Sequence, residues 1–145
     1  MLAKTHSYGL LGLEAFSLEI EVDISRGLPS IAIVGLPDNA VKESKERVKS
    51  AIKNSGFKYP VDKITVSLAP ADIKKEGPAF DLPIALGILA ASEQIPAHSL
   101  QKYTILGELA LDGKVRAVKG SLPIALGMNS DKSSSLILPQ ENCRE

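Results

Sequence analysis

From Phe16 to Ile24 the sequence alternates without a break. Phe16, Leu18, Ile20, Val22 and Ile24 are apolar, and Ser17, Glu19, Glu21 and Asp23 between them are polar. A period of two requires an extended strand with one face on a core and the other toward water, so the chain must build a sheet and cover one side of it. "RGLPS" then turns the chain, and Ile31 to Val34 reads as a second, short strand. "GLPD" breaks it, with Asp38 placed as the N-cap of a helix that reaches about Asn54. Val41, Val48, Ala51 and Ile52 form the helix's inner face, and Ser55-Gly56 closes it. "KITVSLA", residues 63–69, is a β-branched strand, and a helix with almost no polar side runs from about Leu82 to Ser92. Residues 103–118 read as strand, hairpin and strand, turning at Asp112-Gly113. A two-residue turn would put Leu109 and Leu111 on one face with Lys114 and Arg116, so a bulge or a longer loop is expected. A third helix starts near Leu122, and "SSLILP" is a last short strand. This order predicts an α/β (α+β) layer fold with a mixed sheet and helices mostly on one face.

Composition bounds the rest. A chain of 145 residues fits one domain with a real core. Its net charge of +0 argues against a strongly basic nucleic-acid binder but leaves room for a local basic patch. The single cysteine, Cys143, cannot close an internal disulfide, which favours a reducing compartment, and it is expected in the tail and not in a site. The first 15 residues hold one lysine and no apolar run long enough for a signal peptide. No stretch of about 18 apolar residues exists to span a membrane. The chain therefore reads as cytoplasmic.

"LPIALG" occurs twice, at 82–87 and 122–127. Each copy follows a glycine-bearing loop, has a potential capping residue ahead of it (Asp81, Ser121) and carries proline in its first turn, where a missing N–H is harmless. Either two buried helices share the same starting chemistry, or the two helix starts face each other across one site.

Several constellations could carry chemistry. The Gly113-Lys114 pair lacks the rest of a phosphate-binding loop: Val115 follows it, and Glu108 stands where the first glycine belongs. Asp38 would repel an anion at the helix start after Gly35. Glu19, Glu21 and Asp23 lie in a line on one strand face and do not converge on a metal, and His6 and His98 lack zinc-like spacing. Lys42, Lys45, Lys49 and Lys53, with Arg47, share a helix on which Glu43 and Glu46 oppose them, and Glu43 should pair with Arg47. That stripe is a solvated face or a contact surface for a partner subunit or DNA. "KKEGPAFD", residues 74–81, is a loop opening onto a buried helix, a common place for a nucleophile, but Ala79 follows Pro78. Lys74 and Lys75 beside it are expected to be wet, and a Ser–Lys dyad needs a dry lysine within reach of a hydroxyl.

The stretches "EVDISRGLPSIAIVGLPDNAVKESKERVKSAIKNSGF", "ITVSLAPADIKKEGPAFDLPIALGILAA" and "LGELALDGKVRAVKGSLPIA" resemble the N-terminal domain of the magnesium-chelatase-like AAA+ ATPases, the YifB/ComM family. The likeness covers nearly the whole chain. It implies a fold similar to the Lon proteolytic domain and to domain 2 of ribosomal protein S5, and makes residues 1–145 a single N-terminal domain of a longer protein. In Lon-type peptidases the matching loop is acidic-Gly-Pro-Ser, and the partner lysine lies early in the helix after the hairpin. Here Glu76, Gly77 and Pro78 match, while Ala79 and Leu122 take the places of serine and lysine. The resemblance thus implies a pseudo-peptidase frame with no catalytic, cofactor or metal residue in this chain. ATP and magnesium are expected in a downstream ATPase module, and the expected partners are that module, neighbouring subunits of a ring, and DNA, since ComM-type members are DNA helicases. Alternatives are a regulatory subunit of a chelatase complex, or a Ser–Lys peptidase using a displaced serine such as Ser92 or Ser121.

Overall fold

The computed structural model describes residues 1–128 and 135–142. Cys143 and the first serine of "SSLILP", Ser134, lie outside the described residues. The alternating stretch sits in β2 (Glu14–Ser25), with Leu18, Ile20 and Val22 fully buried. Its partner is a strand that the sequence reading did not assign, β1 (Leu2–Leu11), paired antiparallel over its whole length from Leu2–Asp23 to Leu11–Glu14. The inward residues of β1 are Ala3, Thr5, Ser7 and Gly9 rather than large aliphatics, which mutes its periodicity. They are small because a helix lies close above. The buried Thr5 hydroxyl donates to Pro83 O (3.0 Å), and the buried Ser7 hydroxyl to Ile105 O (2.8 Å).

β3 (Ser30–Val34), β4 (Lys63–Ala69), β5 (Tyr103–Ile105) and β8 (Ser135–Ile137) complete a six-stranded sheet in the order β3-β4-β2-β1-β5-β8. The β3–β4, β1–β5 and β5–β8 pairs are parallel, so the sheet is mixed as expected. β5 and the hairpin belong to different sheets. β6 (Glu108–Leu109) and β7 (Val115–Arg116) pair separately, around a loop of residues 110–114 rather than a two-residue turn. Leu109 is therefore buried while Leu111 is exposed.

The first helical segment is two helices, α1 (Asn39–Lys42) and α2 (Ser44–Asn54), divided at Glu43. Between β4 and β5 lies α3 (Asp81–Ala91), buried on nearly every side. After the hairpin comes α4 (Ser121–Gly127). The two "LPIALG" copies dock with the same glycine: Gly87 lets α3 approach Val22, and Gly127 lets α4 approach Ala15. Val22 and Ala15 are an odd number of steps apart on β2, so the two helices lie on opposite faces of that strand. α2 packs on α3, so these two share one face and α4 lies on the other.

After β3 the chain turns sharply at Gly35 (φ +106°) and Leu36 (φ +57°). A Cβ on residue 35 would collide with the Leu68 carbonyl oxygen, which is backbone and cannot swing aside. Gly35→Ala should therefore cost at least about 2 kcal/mol, from left-handed strain plus the clash. A lowered urea midpoint with unchanged m checks this.

Candidate functional site

The "KKEGPAFD" loop lies beside the "GLPD" turn, joined to it by a short parallel bridge. Lys75 N–H donates to Leu36 O (3.0 Å), and Asp38 N–H donates to Lys75 O (2.9 Å). The Asp38 carboxylate serves both segments. Oδ1 accepts from Val41 N–H (2.8 Å), capping α1 as predicted, and Oδ2 accepts from Gly77 N–H (3.2 Å).

Lys74 is exposed, but Lys75 is fully buried, against the expectation that both are wet. Its Nζ donates to Gly35 O (2.7 Å) and to Pro70 O. Hydrogen bonds to two backbone carbonyls replace its water, while burial lowers its pKa below the usual lysine value and nearby Asp72 partly offsets this.

Glu76 is exposed, and Gly77 takes the left-handed conformation (φ +85°) that a glycine adopts freely. Beyond Pro78, the Ala79 carbonyl accepts from Gly107 N–H (2.9 Å), and Gly107 O accepts from Leu82 N–H (3.0 Å). Ala79 packs with its methyl against the cluster of Leu106, Val118, Ile124 and Met128, the last two from α4 and its end. Leu122 is 50% exposed and lines an open apolar groove with Leu13 (92% exposed) and Leu126 (66%).

Asp81 does not cap α3. The N-cap residues of α3 and α4 are Phe80 and Gly120, neither with a side-chain capping bond. Instead the buried Asp81 carboxylate collects four donors. Oδ1 accepts from Ser44 Oγ (2.5 Å) and Arg47 Nη2 (3.1 Å), and Oδ2 from Arg47 Nε (2.6 Å) and Leu109 N–H (3.0 Å). Arg47 also donates to Ala40 O (2.8 Å), and its predicted partner Glu43 is a weaker, exposed contact at 3.7 Å. The hydrogen bond to Asp81 raises the Arg47 pKa despite partial burial.

Lys42 stands on α1, apart from Lys45, Lys49 and Lys53 on α2. Lys45, Lys49 and Lys53 follow at steps of four and so share one stripe. Lys42, Lys49 and Lys53 are exposed and Lys45 is half-buried. Lys49 Nζ lies 5.7 Å from the Tyr59 ring centroid, a cation–π distance. Of the two serines considered as displaced nucleophiles, Ser92 donates back to Ile88 O (2.8 Å), and Ser121 is buried beside Asn142.

The Gly113-Lys114 pair is not arranged as a phosphate-binding loop. In the hairpin loop Gly113 N–H already bonds Ala110 O (3.0 Å), and Lys114 N–H bonds Asp112 Oδ1 (2.9 Å). Glu19 pairs with Lys4 at 3.5 Å. Among the described residues no three His, Cys, Asp or Glu side chains gather as a metal site, and no helix is long and apolar enough to cross a membrane.

Residues 20–142 match the family described as subunit ChlI of Mg-chelatase. The chain is 52% identical over 124 residues to YifB of Escherichia coli, covering 86% of this chain and 24% of that protein. It is 47% identical over 144 residues to the competence protein ComM of Haemophilus influenzae, covering 99% and 28%. It is also 25% identical over 132 residues to a Lon protease of Clostridioides difficile, covering 86% and 16%. The chain thus spans about a quarter of the length of YifB and ComM.

Two outcomes test this geometry. Arg47→Ala leaves Asp81 buried without its counter-charge and should cost about 3–5 kcal/mol in urea unfolding at neutral pH. Arg47→Lys should recover only part, because an ammonium cannot make the forked pair. Lys75 gives a pH signature. Its folded pKa lies below 10.5, so between the two values the unfolded chain holds more protons and stability rises with pH. Wild type should therefore gain stability relative to Lys75→Met as pH climbs toward 10.5, and a flat difference would contradict the lowered pKa.

Proposed function

This chain belongs to the family of the Mg-chelatase subunit ChlI, and on that premise we propose that it is the non-catalytic N-terminal domain of a cytoplasmic AAA+ ATPase of the YifB/ComM kind. In this reading ATP and magnesium act in a separate module, and this domain organises neighbouring subunits and guides DNA. The observation that carries it is the state of the loop. Its scaffold is complete, with Asp38, Lys75 and Gly107 holding Glu76-Gly77-Pro78 in place. Yet the position that would present a nucleophile holds Ala79, packed among aliphatic side chains. The position that would present a lysine holds Leu122, at the edge of an apolar groove. A site with this framework and neither reactive group is suited to presenting surface.

The lysine stripe is the surface assigned to DNA. In the full-length protein, reversing Lys45 and Lys49 of the stripe, together with Lys42 of α1, to glutamate should weaken DNA binding at least about tenfold at moderate salt and flatten its salt dependence. Unchanged DNA binding and unchanged ring assembly would remove that role from the stripe. A fluorophosphonate probe should label no serine of the chain, and labelling at Ser92 or Ser121 would restore the peptidase reading. The ChlI match also supports a chelatase subunit. That reading predicts co-purification with porphyrin-binding partners, and DNA-stimulated ATP hydrolysis by the intact protein speaks against it.

A further inference from the structure

Where α2 ends, the chain builds a feature that neither the ion pair nor the vestigial loop requires. Gly56 (φ +87°) stops the helix, and Phe57 N–H bonds back to Ile52 O (3.2 Å), leaving Phe57 41% exposed. The segment after it is hydrogen-bonded to the end of α3. Gln94, just past α3, accepts from Lys58 N–H through Oε1 (2.9 Å) and donates to Lys58 O through Nε2 (2.7 Å). That side chain is itself fixed by a bond to Ser92 Oγ (2.9 Å). The result is a groove of about 640 Å³ lined by Phe57 together with the exposed Lys53 and Lys58, with Asp62 the one acidic side chain in the lining. Lys53 is also the last member of the α2 lysine stripe, so the groove continues that stripe.

We propose that this groove seats an unpaired base of a single-stranded nucleic acid, with Phe57 as the stacking platform and Lys53 and Lys58 on the flanking phosphates. The inference rests on the reading that the lysine stripe carries DNA, and deepens it by specifying the form of the strand. An exposed aromatic residue sharing a groove with two cations suits a ligand that is both polyanionic and flat-faced. Bases inside a duplex already stack on one another and offer no free face. Phe57 has no hydrogen-bonding group, so stacking here would be tolerant of sequence. The exposed Val61 nearby would suit an apolar peptide, but the cationic flanks favour the nucleic acid.

The experiment measures binding of the full-length protein to a labelled oligo(dT) and to a duplex of equal length, across a salt series. Phe57→Ala should lose about 5- to 150-fold for the single strand, the loss expected for one stacked base. It should stay within about twofold for the duplex, with an unchanged salt slope. Phe57→Trp should keep the affinity and show indole quenching on binding, which also controls for folding. This chain has no other tryptophan, so the signal is the difference from wild type. Equal losses for both ligands, or none for either, would overturn the stacking site. So would intact nucleic-acid binding with disrupted subunit assembly, which would assign the groove to a protein partner. If lysine reversal also leaves binding unchanged, the DNA reading itself fails; if reversal weakens binding and Phe57→Ala does not, only the stacking site falls.

Discussion

One carboxylate fixes how the helices meet the hairpin. Asp81 stands in the first turn of α3, fully buried, with donors from Ser44 and Arg47 on α2 and from the backbone of β6. Arg47 reaches on to α1 through Ala40 O. Burying such a pair is costly, because both charges leave water, and only near-complete hydrogen bonding makes it tolerable. Here both carboxylate oxygens are doubly engaged. The gain lies in geometry: a forked pair accepts one orientation of α2 on α3, and the Leu109 bond sets the hairpin against that junction.

The loop that precedes α3 inherits this order. With Leu109 held by Asp81, Gly107 two residues earlier is positioned to bond both Ala79 and Leu82. From the other side, Asp38 and Lys75 join the loop to the turn after β3. Lys75 is an expensive brace, since a buried ammonium needs acceptors, and it finds them in the carbonyls of Gly35 and Pro70. The loop is thus held as firmly as an active-site loop needs to be, around a methyl group. Among the described residues, the hydrogen bonds that fix the loop come from backbone or from Asp38 and Lys75, so its shape does not depend on the side chain of Ala79.

Much of the sheet was legible because its physics is local. Leu18, Ile20 and Val22 alternate with polar residues and are buried, and Asp38 caps α1 within three residues. β1 escaped because Thr5, Ser7 and Gly9 face inward. Their hydroxyl bonds to Pro83 and Ile105 and their small size answer to α3 and β5, which are distant in sequence. The Asp81 network escaped for the same reason. Ahead of proline in a helix's first turn, an aspartate reads as a cap, and nothing local says that its partner is an arginine 34 residues earlier. Lys75 looked wet beside a glycine turn, and its burial depends on the "GLPD" turn folding over it. The apolar character of Ala79 and Leu122 was plain in the sequence, but the groove around Leu122 also needs Leu13 from the β1–β2 turn.

The repeated hexapeptide shows how context divides identical sequence. In α3 the leucines of "LPIALG", Leu82 and Leu86, are half-buried against the main core. In α4 the same positions, Leu122 and Leu126, face outward beside Leu13. The glycine docks each helix on its face of β2, but α3 has α2 and the hairpin over it, whereas Leu122 and Leu126 of α4 stay exposed. A lysine at residue 122 would sit comfortably at that boundary, with its stem on the groove and its charge in water. A leucine there gains nothing from water. Together with Leu126 and Leu13 it forms a contiguous apolar patch of the kind that marks an interaction surface. The two copies thus diverge by what covers them: the hexapeptide that builds core in α3 leaves exposed leucines in α4.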